Sequence, residues 1–128
     1  MSGEFWTERH LCTVTTIRRD GTPHVAPVGA TYDETTGIAR IITSGTSQKV
    51  RNVRANPRVA ICQVDGRRWT TLEGTAVIDD DPAAVADAER RYADRYRTPR
   101  PNPARVVIVV TVTRVLGTVR VGSPHGAS

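Results

Sequence analysis

Along this chain the apolar residues recur mostly at every second position, the spacing of half-buried strands, and change to three-and-four spacing in two stretches. Residues 11–17 alternate imperfectly and run into Arg18-Arg19-Asp20-Gly21. Asp-Gly tolerates the positive φ angles of a tight hairpin, so a second, antiparallel strand is expected over 24–31. That strand contains Pro27 and Gly29. Proline donates no ladder hydrogen bond, so the strand needs an edge, a bulge or a ligand at that point. A turn over 33–37 leads to a third strand, 38–43. From 47 to 55 the period is helical, with Val50 and Val53 on one side and Asn56-Pro57 as the stop, because proline disfavours helix in the residue before it.

Residues 58–64 and 69–78 form the next pair of strands, joined at Asp65-Gly66, and Gly74 interrupts the second. Asp79-Asp80-Asp81-Pro82 is a helix start: carboxylates meet the positive dipole end, and proline sits where no N–H partner is needed. The helix is expected to reach about residue 96, with Val85, Ala88, Tyr92 and Tyr96 as its apolar seam. Core or interface packing is the ordinary role of such tyrosines. Prolines 99, 101 and 103 forbid helix or strand and leave a stiff basic connector. Residues 106–112, the most β-branched stretch, predict a strand buried on both faces. Six strands and two short helices predict a mainly β fold, a small closed or partly closed antiparallel barrel. Residues 1–128 are expected to be one domain, with 1–7 and 118–128 as its flexible ends.

Charge narrows the partners. A formal net charge of +5 favours something acidic: an anionic cofactor, a nucleic acid or a membrane surface. No run approaches the ~18 apolar residues of a membrane span. The opening residues lack a basic and apolar leader, so the cytoplasm is the expected location. Cys12 and Cys62 lie apart in strand-like segments and are expected to be reduced and structural. Of 18 Lys and Arg residues only Lys49 is lysine, in Thr46-Ser47-Gln48-Lys49 at a helix start. Two hydroxyls, uncapped amides and a compact ammonium there suit a phosphate. The competing interpretation is a solvated basic face extended by Arg51, Arg54 and Arg58.

Other chemistry is scarce. The 3 histidines, at 10, 24 and 125, lie far apart, and no cluster has metal-ligand spacing. There is no GxSxG, Walker A or GxGxxG motif. Glu73 lies between Leu72 and Gly74 on a strand, where a salt-bridged carboxylate is commoner than a base. Trp69 suits either a core position or a ring stacked on a planar cofactor.

Three segments in order carry a resemblance: Asp20-Gly21-Thr22-Pro23-His24-Val25-Ala26-Pro27-Val28, then residues 41–52 from Ile41-Ile42-Thr43-Ser44 to Arg51-Asn52, then Asn56-Pro57-Arg58-Val59-Ala60. Together they resemble the split β-barrel flavin and deazaflavin oxidoreductases, the pyridoxamine-phosphate-oxidase-like superfamily. Residues 63–69, Leu72-Glu73-Gly74 and 95–103 are similar to the branch that uses the deazaflavin coenzyme F420. The resemblance implies a six-stranded antiparallel split β-barrel and a homodimer with cofactor sites built from both chains. It places Ser47, Gln48 and Lys49 at the cofactor phosphate, with Arg51 and Asn52 alongside and Thr43 and Ser44 under the strand end. It lines the ring with His24, Val25, Ala26, Pro27 and Val28, bounds the pocket with Trp69, and brings Arg105 to acidic groups. Arg97 and Arg100 would hold the substrate's carboxylates. No catalytic side chain and no metal are implied, because the cofactor carries the hydride. The expected acceptor is a planar conjugated tetrapyrrole, biliverdin, reduced to bilirubin. The family pattern usually begins with a helix ahead of Glu8, a stretch that is shorter here. Two alternatives stand beside this: an FMN-dependent enzyme of the same fold, and a non-catalytic basic protein carrying a cofactor or nucleic acid. Few aromatics and no groove-reading motif weigh against nucleic acid.

Overall fold

Both expected hairpins form, each with its turn glycine in the left-handed region: Gly21 at φ 89° and Gly66 at φ 63°. The computed structural model describes residues 4–121. Its strands are β1 (Cys12–Ile17), β2 (Pro23–Val28), β3 (Ala30–Asp33), β4 (Ile38–Ser44), β5 (Arg58–Asp65), β6 (Arg68–Asp79) and β7 (Arg105–Gly117). Helix α1 (Gln48–Ala55) follows β4, and α2 (Pro82–Arg95) follows β6.

Seven strands replace the six expected, because the second predicted strand breaks at Gly29 into β2 and β3. Every pair is antiparallel, in the order β2-β1-β5-β6-β7-β4-β3. β2 and β3 therefore stand at opposite rims of the sheet, yet one residue joins them. Consecutive Cα atoms lie only about 3.8 Å apart, so the sheet curls until its two rims meet at Gly29. The result is an antiparallel half-barrel. Pro27 thus lies on a rim strand, one of the settings its missing N–H requires.

The inside of the curl is aliphatic. Strand register aligns Val14, Ile61, Leu72 and Val115 in one row across β1, β5, β6 and β7, each 3% exposed or less. Helix α1 adds Val50 and Val53 to this core, and its Asn52 donates from Nδ2 to Thr16 Oγ1 at 3.0 Å. On the other side α2 packs on β3, β4 and β7. Asp81 caps α2 by accepting from Ala84 N at 3.3 Å, and Pro82 follows it. Beneath α2, Val106, Val107 and Ile108 are consecutively buried, as two-sided cover requires; beyond them β7 alternates and continues past the expected end. Asp87 accepts from Arg91 Nε at 2.9 Å and pairs with Arg40 at 3.7 Å, while Arg91 lies 3.7 Å from Asp33, tying α2 to β3 and β4.

Within the two segments expected to be flexible, the described residues include some that pack on the core. A 3-10 turn, Glu4–Trp6, inserts Phe5 and Trp6 into the core at 1% and 3% exposure. Val121 is buried, and Thr118 N donates to Trp69 O at 3.1 Å. Large apolar side chains override position in the chain. Residues 1–3 and 122–128 lie outside the described residues.

Candidate cofactor cleft

Where the rims meet, β2, β4, α1, α2 and the proline-rich connector surround a cleft of about 360 Å³. Pro27, Val28 and Gly29 form one wall, Ile42, Thr43 and Ser44 a second, and Tyr92 a third. Lys49, Arg97, Thr98, Pro99, Arg100, Asn102 and Arg105 complete the lining. The volume is that of a small-molecule site. Its charge is one-sided: Lys49, Arg97, Arg100 and Arg105 are present and no carboxylate is. Such a lining is suited to an anion.

Lys49 projects from the first turn of α1 and is half-buried. Among the described residues its ammonium has neither a hydrogen-bond nor an ion-pair partner, and burial pushes its pKa below the ordinary lysine range. A desolvated, unpaired charge is costly unless something else meets it. Beside it, Ser47 occupies the N-cap position but makes no side-chain cap bond. Its Oγ instead accepts from Thr43 Oγ1 at 3.3 Å. Two hydroxyls and an uncapped helix end therefore flank the free ammonium, the donor set a phosphate group requires.

The cleft's arginines divide by availability. Arg105 donates from Nη1 to Glu89 Oε2 at 2.7 Å and from Nη2 to Arg100 O at 2.7 Å. It acts as a strut that holds the connector against α2. Arg97 and Arg100 are exposed, and their side chains have no partner among the described residues.

Of the residues singled out from sequence, Pro27, Val28, Thr43, Ser44, Lys49, Arg97, Arg100 and Arg105 come together here. His24, Val25 and Ala26 do not line the cleft, because they lie further along β2 from the closure at Gly29 than Pro27 and Val28 do. His24 and Ala26 pair with the buried Thr16 and Val14 and share their inward face, whereas Val25 pairs with Thr15 and is 60% exposed outside. Ser47 reaches the lining only through its bond with Thr43, and Gln48 and Arg51 bond to each other at 3.1 Å outside the lining. Asn52 is 2% exposed, turned inward, and engaged by Gln48 Nε2 at 2.8 Å as well as by Thr16. Trp69 is neither core nor cleft lining; it is 37% exposed on the outer sheet face.

Gly29 and Tyr92 are the main cleft residues that sequence reasoning missed. Tyr92 was assigned to a packing seam, and its available signal was the phenol, which favours a boundary with one polar side. Gly29 carried a signal as an isolated glycine in a strand, a mark of close backbone approach.

Behind the cleft lies a contrasting cation. Arg95 is 7% exposed and donates from Nε to Glu8 O at 2.8 Å and from Nη1 to Ala30 O at 2.6 Å. Nη2 reaches Phe5 O at 3.4 Å and the buried Gln63 Oε1. Its guanidinium lies 5.0 Å from the ring centres of Trp6 and Tyr96. At the outer end of this clasp Glu8, His10 and Asp65 gather their ligand atoms within 4.8 Å. Arg68 bonds both carboxylates, so the cluster is already compensated.

A curled antiparallel half-barrel with a cationic cleft at its closure defines the class. The chain belongs to the pyridoxamine 5'-phosphate oxidase family, whose model matches residues 3–125. It is 57% identical over 113 residues to an F420H(2)-dependent biliverdin reductase of Mycobacterium tuberculosis (strain CDC 1551 / Oshkosh), an alignment spanning 88% of this chain and 82% of that protein. Among solved structures it resembles an F420 reductase with a TM-score of 0.74 at 28% identity, covering 89% of this chain and 94% of the other. A conserved hypothetical protein from Mycobacterium tuberculosis superposes with a TM-score of 0.78 at 25% identity, over 90% and 80% of the two chains.

Proposed function

We propose that the protein is an oxidoreductase that uses reduced coenzyme F420 to convert biliverdin to bilirubin. The observation that carries this reading is the unpaired, half-buried Lys49 in a cleft without carboxylates, in a chain so similar to an F420H(2)-dependent biliverdin reductase. The residues fit the cofactor. Lys49, Thr43 and Ser44 would hold its phosphate, with Ser47, Gln48 and Arg51 alongside and the ring along Pro27 and Val28. Asn52 serves the site indirectly, by fixing α1 to β1. Once bound, the reduced deazaflavin supplies the hydride. Val28, Ile42 and Pro99 would exclude bulk water from the ring, and the Arg97 and Arg100 forks would suit the two propionates of biliverdin. The lining offers no carboxylate or imidazole, so a water held by these arginines delivers the proton.

The proposed assembly is a homodimer, supported by the outer face of the sheet. Val25, Val64 and Val77 are 60%, 60% and 64% exposed there, with Trp69 beside Val64 in the register. A second copy would cover this apolar face and bring Val25 and Trp69 into the assembled site's surroundings. No described helix is long and apolar enough to cross a membrane. The unpaired Cys12 and Cys62 fit a reducing compartment, and the cytoplasm is the proposed location.

The test is loss of biliverdin absorbance with chemically reduced F420, run beside equilibrium titrations of F420 and FMN. Turnover with F420 and weak FMN binding are expected. Tight FMN binding without F420 binding would overturn the cofactor assignment, and F420 binding without turnover would remove the substrate.

A further inference from the structure

Gly29 is the single residue on which the sheet closes, and its backbone is not in the left-handed region. Conformational freedom therefore does not demand glycine at this point. Space does. A Cβ at position 29 would lie 2.7 Å from Tyr92 Cε2 and 3.1 Å from Tyr96 Cε2. Real Cβ contacts do not approach 2.7 Å, so one ring would have to move.

Tyr96 cannot be the one that yields. Its hydroxyl lies 2.8 Å from His10 O and 2.9 Å from Ala30 O, and the buried Arg95 stacks over its ring. Tyr92 is the free one, because its hydroxyl has no partner among the described residues. Tyr96 flanks it at 5.0 Å between ring centres, tilted by 39°, and closes that side. The direction left open is the cleft, where Tyr92 is the sole aromatic residue of the lining.

We infer that Gly29 and Tyr92 together set the width of the cleft, with Tyr92 as a positioning residue whose ring forms the wall for a flat conjugated ligand. The bare backbone at Gly29 lets that ring stand back, and the Tyr96 anchor keeps it from drifting further. Aromatic walls favour planar ligands through offset stacking. This inference rests on the proposed binding of the deazaflavin in this cleft, and it adds what limits the ligand's thickness there.

The test is a titration of oxidised F420 followed by its fluorescence, on the full chain and on Gly29→Ala, Tyr92→Ala, Gly29→Ala/Tyr92→Ala, Tyr92→Trp and Lys49→Ala. Gly29→Ala should weaken binding at least tenfold. Removing the ring in that background should bring affinity back to within threefold of Tyr92→Ala alone, a rescue that general damage to the fold would not give. Tyr92→Trp leaves position 29 untouched and should weaken binding in the same direction even where Gly29→Ala folds poorly. Affinity within twofold of the parent for both Gly29→Ala and Tyr92→Trp overturns the inference, as does a double variant that stays as weak as Gly29→Ala. In that event a weakened Lys49→Ala leaves the cofactor assignment standing. If Lys49→Ala is also unchanged, the cofactor does not occupy this cleft and both fall.

Discussion

Arg95 and Lys49 are both cations withdrawn from solvent, and their surroundings are opposite. Arg95 spends its donors on main-chain oxygens and an amide: Glu8 O, Ala30 O, Phe5 O and Gln63 Oε1. Lys49, in the cleft lining on the first turn of α1, spends its donors on nothing the described residues provide. The first charge is consumed in joining the N-terminal turn, β3, β5 and α2. The second is held in reserve. Burial alone does not separate structural from functional charge; the donor accounting does.

The largest expected effect tests the consumed charge. Arg95→Met would remove the hydrogen bonds of a charged donor to buried oxygens, at roughly 1.5–3 kcal/mol each, so a total loss of about 3 kcal/mol or more is expected in urea unfolding. A loss below about 1 kcal/mol would mean the clasp is dispensable. Lys49→Ala should behave in the reverse way. Its unfolding free energy should stay within about 0.5 kcal/mol of the parent, while F420 binding weakens by about 1.5–3 kcal/mol, the range for hydrogen bonds to charged groups. Because the pKa of Lys49 is depressed in the free protein, cofactor affinity should fall as pH rises through that depressed value, before the usual lysine range is reached. An affinity flat across that interval would exclude the ammonium as the anion's partner.

A smaller effect belongs to the clasp's solvent end. Hydrogen bonds from Arg68, then from His10, hold the Glu8 carboxyl at about 2, against an ordinary value of 4.5. The folded-state pKa is the lower one, so this contribution is complete above 4.5 and disappears as pH falls toward about 2. Melting temperature should decline across that window, and Arg68→Ala should flatten the decline; an unchanged slope would detach Glu8 from stability. Smallest of all, Arg54→Ala, on the exposed face of α1, should alter stability by less than about 0.5 kcal/mol and leave F420 binding as it was. A clear loss of affinity there would extend the reserve of cations beyond the cleft.

Local chemistry and a partly closed antiparallel barrel were legible in the sequence, and the residue at which the rims meet was not. Asp20-Gly21, Asp65-Gly66 and Asp81-Pro82 each signal an event within a few residues, and each stands where expected. Gly29 divides β2 from β3 with no change in the apolar pattern, because the reason for the break is a rim that arrives from the far side of the sheet. The same limit applies to the cleft. Lys49, Arg97 and Arg100 announce themselves by charge and Pro27 by its missing donor. Tyr92 matters through Gly29, a neighbour distant in sequence. The resemblance groups His24, Val25 and Ala26 with Pro27 and Val28, and only the last two adjoin the closure at Gly29. Phe5 and Trp6 are buried near the start of the chain, where large apolar side chains are a better guide than position.

The two rims described above also bear on how copies of this protein meet. An unpaired strand invites another strand to add to it, and repetition of that step leads to fibrils. Here one rim strand carries Pro23 and Pro27, which lack the N–H a newcomer would need, and the other is only 4 residues long and ends at Asp33. Templated growth along the sheet is thereby blocked at both sides. The pairing proposed through the exposed valines of the sheet face would then be finite, with no rim left to carry it further.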